Sequence, residues 1–267
     1  MKVLLKLVKY ELVKLRRRRF VQLVVVAAAL FPIPFTMMVM GESAGEENRF
    51  DLIFEQLVEL GFPIMLPIVL GIIASMLVFM EQDYGTMKNL LTIPLSTNQI
   101  IIPKIITLFI FGVLFSVSTL VASIIGGVVA GGTIQHVGHK MFIACVTGLF
   151  YTVATLPIVT VVVYFHKTYI ASIVFTFFYT MVNFYLAYTG QFTTMYASNR
   201  IIQALATISP TCIILRWHLS EFPPYAEYYA QWQPYFIPFW MVTLIMILIG
   251  FLFGVIITKI YNRIERW

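Results

Sequence analysis

The sequence predicts an all-α membrane protein with six transmembrane helices. Of its 267 residues, 60% are hydrophobic and 11% are charged, and the mean hydropathy is +0.89. A soluble domain carries about 25% charged residues on average, so a globule with a fully solvated surface is excluded. The two cysteines, Cys145 and Cys212, lie far apart and fit no disulfide framework or metal-binding spacing, which favours a role as small packing residues.

Residues 1–19 predict a basic amphipathic interface helix. They contain eight Lys or Arg residues and one acid, Glu11. Apolar residues recur there at helical spacing (Leu4, Leu7, Val8, Leu12, Leu15), so this stripe is expected to lie on an anionic membrane surface. A signal peptide is disfavoured because a full-length span follows with no small-residue cleavage site. An arginine run beside a span is more typical of a topology anchor than of a nucleic-acid site.

Six apolar runs are long enough to cross a bilayer, which takes about 20 residues. They cover residues 20–40, 60–80, 105–131 and 141–165, a fifth run from 169 that stays uncharged to 199, and 235–258. Pro32 and Pro34 predict a kink or a break in the first span. Ser123, Gly127 and Gly131 give the third span a smooth face for close helix approach, either to the same chain or to a second membrane subunit.

A polar insert, residues 81–104, separates the second and third spans. An acidic start, a glycine, a proline stop and the spacing of a capping box punctuate it (Glu81, Asp83, Gly85, Pro94, Ser96, Gln99). A compact polar insert of this kind in a hydrophobic chain indicates a docking surface for a partner protein.

The order of residues in this insert resembles the ABC type-2 export permeases. The matching positions are Glu81, Gly85, Thr86, Lys88, Leu91, Pro94 and Lys104. The resemblance implies that a separate ATPase, which binds ATP and Mg, docks on this coupling segment, with Leu90 as a further contact. It also implies that the N-terminal helix braces the ATPase, and that two permeases, identical or paralogous, work with two ATPases.

Residues 191–234 are predicted to form an extracellular re-entrant segment. Two apolar stripes, one ended by Pro210 and one by the break at 222–224, are too short to cross the bilayer. The second stripe supplies the candidate outer gate (Pro210, Ile213, Ile214, Trp217). Arg216 and His218 are expected to stay in the headgroup layer, and the alternative is a surface helix without a role in gating. An aromatic belt, 225–240, leads into the sixth span.

The fifth span carries a weakly polar stripe at helical spacing. Thr176, Thr180 and Asn183 belong to it, and Tyr179 flanks it. They either line a substrate path or pack within the bundle. In the loop before the fourth span, His136 and His139 lack an accompanying carboxylate or cysteine and are expected to be solvated rather than to bind a metal.

The motifs that the sequence lacks narrow the function. It contains no GxxxxGK[ST] phosphate loop, no Asp, Glu, Lys or Arg inside a predicted span of the kind that ion-coupled carriers use, and no arrangement typical of an intramembrane enzyme. An export permease driven by a separate ATPase fits best. The alternatives are a non-transporting sensor or immunity subunit and, less favoured, a membrane-embedded enzyme.

The charge distribution predicts a bacterial plasma-membrane protein with both termini in the cytoplasm. With that orientation, 14 of the 18 Lys and Arg residues lie inside and eight of the 12 acids lie outside, as the positive-inside rule requires. The uncharged spans and aromatic fifth span favour a hydrophobic or amphiphilic substrate. The chain resembles permeases of bacitracin- and lantibiotic-type peptide exporters, which implies export of an antimicrobial or amphipathic peptide.

Overall fold

The computed structural model describes residues 2–16, 18–41, 49–83, 96–165, 169–196, 200–222 and 233–264. Regular secondary structure in these ranges is entirely helical, which confirms the all-α prediction. The helices are α1 (Lys2–Arg16), α2 (Arg19–Leu30), α3 (Ile33–Gly41), α4 (Arg49–Gln56), α5 (Phe62–Asp83), α6 (Thr97–Val129), α7 (Val137–Tyr164), α8 (Tyr169–Tyr196), α9 (Arg200–Ile208), α10 (Pro210–Glu221) and α11 (Phe239–Ile264). A π-helical turn, Leu57–Gly61, joins α4 to α5, and a 3-10 turn, Gln233–Tyr235, precedes α11.

Six helical stretches are long and apolar enough to cross a membrane. They are Val21–Gly41, Arg49–Phe79, Asn98–Val129, Val137–Tyr164, Tyr169–Tyr188 and Gln233–Arg263. The predicted number of spans is therefore confirmed, although α6 begins eight residues before the start expected for the third span, and α11 runs six residues past the end expected for the sixth span.

Local signals account for two helix boundaries. The first span is broken between α2 and α3 by a turn at Phe31 and Pro32, as its prolines predict. Helix α6 starts with a capping box, in which the backbone N–H of Ser96 donates to Gln99 Oε1 at 2.9 Å. This bond satisfies one of the donors that a helix start leaves unpaired.

Two helices form the centre of the bundle. The most apolar windows of Arg49–Phe79 and Val137–Tyr164 are 78% and 72% buried, compared with 17% for Gln233–Arg263. Helix α7 packs against α5, α6 and α11, while α1 packs along α6. The less buried helices therefore present their apolar side chains outward, as lipid contact requires.

Helices α6 and α7 approach each other closely, with backbone against backbone at Gly112 and Gly148. A Cβ atom on Gly148 would lie 2.6 Å from the carbonyl oxygen of Gly112, and one on Gly112 would lie 2.2 Å from Thr152 Oγ1. The stripe that the sequence singled out contacts α4 instead, because a Cβ on Gly127 would lie 2.9 Å from Phe50 Cβ. The neighbour of this stripe belongs to the same chain.

Helix α1 contacts the bundle through the face that was expected to lie on the membrane. Leu15 is fully buried, Val8 is 7% exposed, and Leu12 packs against the main hydrophobic core. The apolar stripe therefore covers protein, mainly α6, and the place of α1 relative to the membrane surface stays a prediction. Residues beside this face are exposed, with Leu5 and Tyr10 each 64% exposed.

Candidate functional site

The coupling segment is described only at its flanks. Glu81 lies in the last turn of α5, and α6 resumes at Thr97. The other residues assigned to ATPase coupling (Gly85, Thr86, Lys88, Leu90, Leu91, Pro94) lie outside the described residues. Two long helices thus hold the ends of the segment, and its contacts stay a prediction.

A buried ion pair lies beside these flanks. Lys104 of α6 is 4% exposed, and its Nζ donates to the carbonyl oxygen of Leu77 in α5 at 2.7 Å. The same Nζ lies 3.6 Å from Glu11 Oε1 in α1. Sequence reasoning missed Glu11, although one signal was available: the only acid of the basic helix lies at helical spacing from Val8 and Leu15.

Helix α10, which carries the candidate outer gate, is docked into the bundle. Ile214 and Trp217 are fully buried and Ile213 is 6% exposed. The indole of Trp217 packs edge-on against Phe150 of α7, with ring centroids 5.4 Å apart, and lies 5.7 Å from the ring of Phe239 in α11. Pro210 occupies the first turn of α10, where the missing N–H costs nothing. Trp217 thus anchors α10 to both α7 and α11.

The polar residues of α10 bond to protein. His218 is 1% exposed, and its Nε2 lies 2.9 Å from Thr147 Oγ1 in α7. Burial lowers the pKa of His218 to about 3, so the imidazole is neutral. The expectation that His218 stays in the headgroup layer is wrong. Arg216 is half-buried, and its Nε donates to the carbonyl oxygen of Tyr235 at 2.7 Å.

Helix α9 differs from α10 in burial. Its apolar stripe faces outward, with Ile201 72% exposed and Ile208 73% exposed. Only Ala206 of α9 is buried among the residues between Arg200 and Ile208. The two short helices between the fifth and sixth spans exist as predicted, but only the second one enters the packed interior.

The polar stripe of α8 is engaged in packing. Thr176 and Thr180 are buried, and a Cβ on Gly71 of α5 would lie 2.1 Å from Thr176 Cγ2. Tyr179 donates to the carbonyl oxygen of Ala154 at 2.6 Å, and Asn183 Oδ1 accepts a bond from Ser209 at 2.9 Å. This arrangement corresponds to the packing alternative, and a role in a substrate path stays a prediction.

A second set of ion pairs joins residues predicted to face outward. Lys140 is 3% exposed, pairs with Asp51 and lies 4.6 Å above the ring of Phe50. His139 Nε2 lies 3.3 Å from Glu221 Oε2, so this histidine is not simply solvated. Residues assigned to one side of the membrane contact each other here, just as Glu11 and Lys104 do on the other side, which supports the alternating topology.

Metal-ligating residues are scattered. Within the described part of the chain, His, Cys, Asp and Glu form no group of three that could hold a metal ion. The two cysteines are free thiols, with Cys212 buried in α10.

The six apolar helices define a multi-pass membrane protein, and comparison with known proteins agrees. Residues 7–183 match the family described as ABC-2 family transporter protein. The chain therefore belongs to this family. It is 31% identical over 118 residues to the bacitracin transport permease protein BCRB of Bacillus licheniformis. That match covers 42% of this chain and 55% of the relative's length.

Proposed function

We propose that this chain is the permease of an ATP-driven bacterial exporter of amphiphilic peptides. Membership in the ABC-2 family is the observation that carries the proposal. The likeness to a bacitracin transport permease favours a peptide antibiotic as the substrate. The uncharged interiors of the spans are compatible with an amphiphile that reaches the protein from the membrane.

In this proposal a separate ATPase, with its ATP and Mg, docks on residues 84–95 from the cytoplasm. Both termini lie on that side, and two permeases, identical or paralogous, work with two ATPases. Closure of the ATPases moves the coupling segment, and α5 and α6 carry the movement into the bundle. Release on the outer side requires α10 to leave its position between α7 and α11, so α10 serves as the outer gate.

Substitution at Leu91 tests the docking step. The chain is co-expressed with a candidate ATPase, and the ATPase that co-purifies is measured for the wild type and for Leu91→Asp. A charge placed in a desolvated contact costs several kcal/mol, about 3 as an order of magnitude, so co-purification should be lost. Asn98→Asp is the matched control, because Asn98 is exposed in the first turn of α6, where a negative charge is tolerated.

Two results contradict the proposal. Unchanged co-purification and unchanged ATP turnover with Leu91→Asp would exclude docking at this position. The substrate is tested separately with inverted membrane vesicles and bacitracin itself as the probe. ATP-dependent uptake no greater than with a hydrolysis-deficient ATPase would exclude bacitracin as a substrate.

A further inference from the structure

The face of α1 that packs on the bundle includes a carboxylate. Val8, Glu11 and Leu15 share this face at helical spacing, and all three are buried. Glu11 is 8% exposed, although a basic helix offers exposed positions where an acid is solvated at no cost. Burial of a carboxylate is unfavourable unless it is paired, so the partners of Glu11 decide what it does.

Glu11 is paired with two lysines that differ in environment. Lys14 lies one turn further along α1, and its Nζ is 3.1 Å from Glu11 Oε1, but its side chain is 40% exposed. Lys104 belongs to α6, its Nζ is 3.6 Å from the same oxygen, and its side chain is 5% exposed. The pair with Lys104 is therefore the desolvated one. Removing one partner of this pair should have a larger effect than removing Lys14.

Lys104 also ties in a third helix. Its Nζ donates to the carbonyl oxygen of Leu77 at 2.7 Å, and Leu77 lies in the last two turns of α5. Helix α5 ends at Asp83, just before residues 84–95, and α6 begins at Thr97, just after them. One ammonium group thus connects α1 with both helices that flank this segment.

We propose that Glu11 is a positioning residue for coupling, a role that rests on the proposed function. Through Lys104 it fixes the register of α1 against the ends of α5 and α6. Movement that the ATPase imposes on residues 84–95 then displaces all three helices as one body. The ion pair adds specificity to a contact that Val8 and Leu15 already stabilise by apolar burial, because the buried ammonium of Lys104 needs a carboxylate within reach.

The test combines a distance and an activity. Spin labels on Lys6→Cys in α1 and Ile102→Cys in α6 are placed at exposed positions in a background that lacks Cys145 and Cys212, and their separation is measured in nanodiscs. ATP turnover is measured for the complete complex of permease and ATPase. The variants are Glu11→Gln, Lys104→Met, the double variant and the control Lys14→Gln.

Glu11→Gln should broaden the distribution of distances and lower the kcat of permease-dependent ATP turnover about tenfold, as mutations that alter coupling between sites do. The KM for ATP should be unchanged, because nucleotide binds to the ATPase. Lys14→Gln should stay within about twofold of the wild type, since exposed pairs contribute little. The double variant should be no worse than the more impaired single variant, because both remove the same interaction.

Wild-type distances and kcat in Glu11→Gln would overturn the proposal, and so would additive losses in the double variant. If Glu11→Gln does not accumulate in the membrane, Glu11→Asp replaces it. This variant keeps the charge on a shorter side chain and must lower kcat more than Lys14→Gln does, or the role is refuted. Failure of the wild-type permease to bind an ATPase would refute the proposed function instead. The distance between the labels on α1 and α6 would still show whether Glu11 fixes the position of α1.

Discussion

Substitution of Gly148 tests the contact between α6 and α7. In Gly148→Ala the new methyl group would lie 2.6 Å from the carbonyl oxygen of Gly112 and 2.8 Å from Ser116 Oγ. A backbone carbonyl inside a helix cannot rotate away, so α6 and α7 must separate. Overpacking of this kind costs about 1–3 kcal/mol, and the backbone contact places Gly148 at the upper end of that range.

Gly254→Ala is the matched control for this change. Gly254 also lies within a long apolar helix, α11, and a Cβ there has no atom within 4 Å. Alanine is favoured over glycine in a helix by about 1 kcal/mol, and this gain is common to both variants and cancels in their comparison. The free energies of unfolding of the two variants should therefore differ by about 3 kcal/mol.

Thermal unfolding of the purified chain in detergent measures this difference. For a protein of this size, 1 kcal/mol corresponds to roughly 2–4 °C in Tm, so Gly148→Ala should unfold roughly 6–12 °C below Gly254→Ala. Equal Tm values would show that α6 and α7 do not approach as closely as the glycine geometry requires. Equal Tm values would also weaken the assignment of α7 as the central helix.

Three further predictions concern the gate and the coupling segment. Burial lowers the pKa of His218 from 6.5 to about 3, so the folded chain binds fewer protons than the unfolded chain between these values. Stability should fall below about pH 6.5, by roughly 3 kcal/mol at pH 4.5, and a His218→Gln variant with the same pH dependence would contradict this. Ile213→Cys should react slowly with a membrane-impermeant thiol reagent, whereas Ile201→Cys should react rapidly. The rate at Ile213→Cys should change when the ATPase is trapped with nucleotide. Labelling of Ile213→Cys that is fast and identical with the resting and the trapped ATPase would exclude α10 as the gate. Glu81→Gln should lower transport per ATP hydrolysed, and equal transport at equal membrane level would refute a coupling role for Glu81.

Predictions from the sequence succeeded where the controlling signal is local. The break at Pro32 and the start of α6 at Thr97 depend on a missing N–H and on a capping box, and both are visible within a few residues. Predictions about burial of single polar residues failed. His218 and Arg216 were both expected in the headgroup layer as polar groups, but residues two apart in a helix point in different directions, and His218 contacts Thr147.

The sequence by itself determined the class of protein, the six spans and the place where a partner is expected to dock, because hydropathy, span length, proline positions and charge bias act along the chain. Only the tertiary structure decided which polar groups become buried partners. Thr147 and His218 are 71 residues apart, and Asp51 and Lys140 are 89 apart. Glu11 and Lys104 belong to the first and sixth of the described α-helices. No periodicity encodes such pairs, because each depends on how two helices rotate and slide against each other when the whole bundle packs.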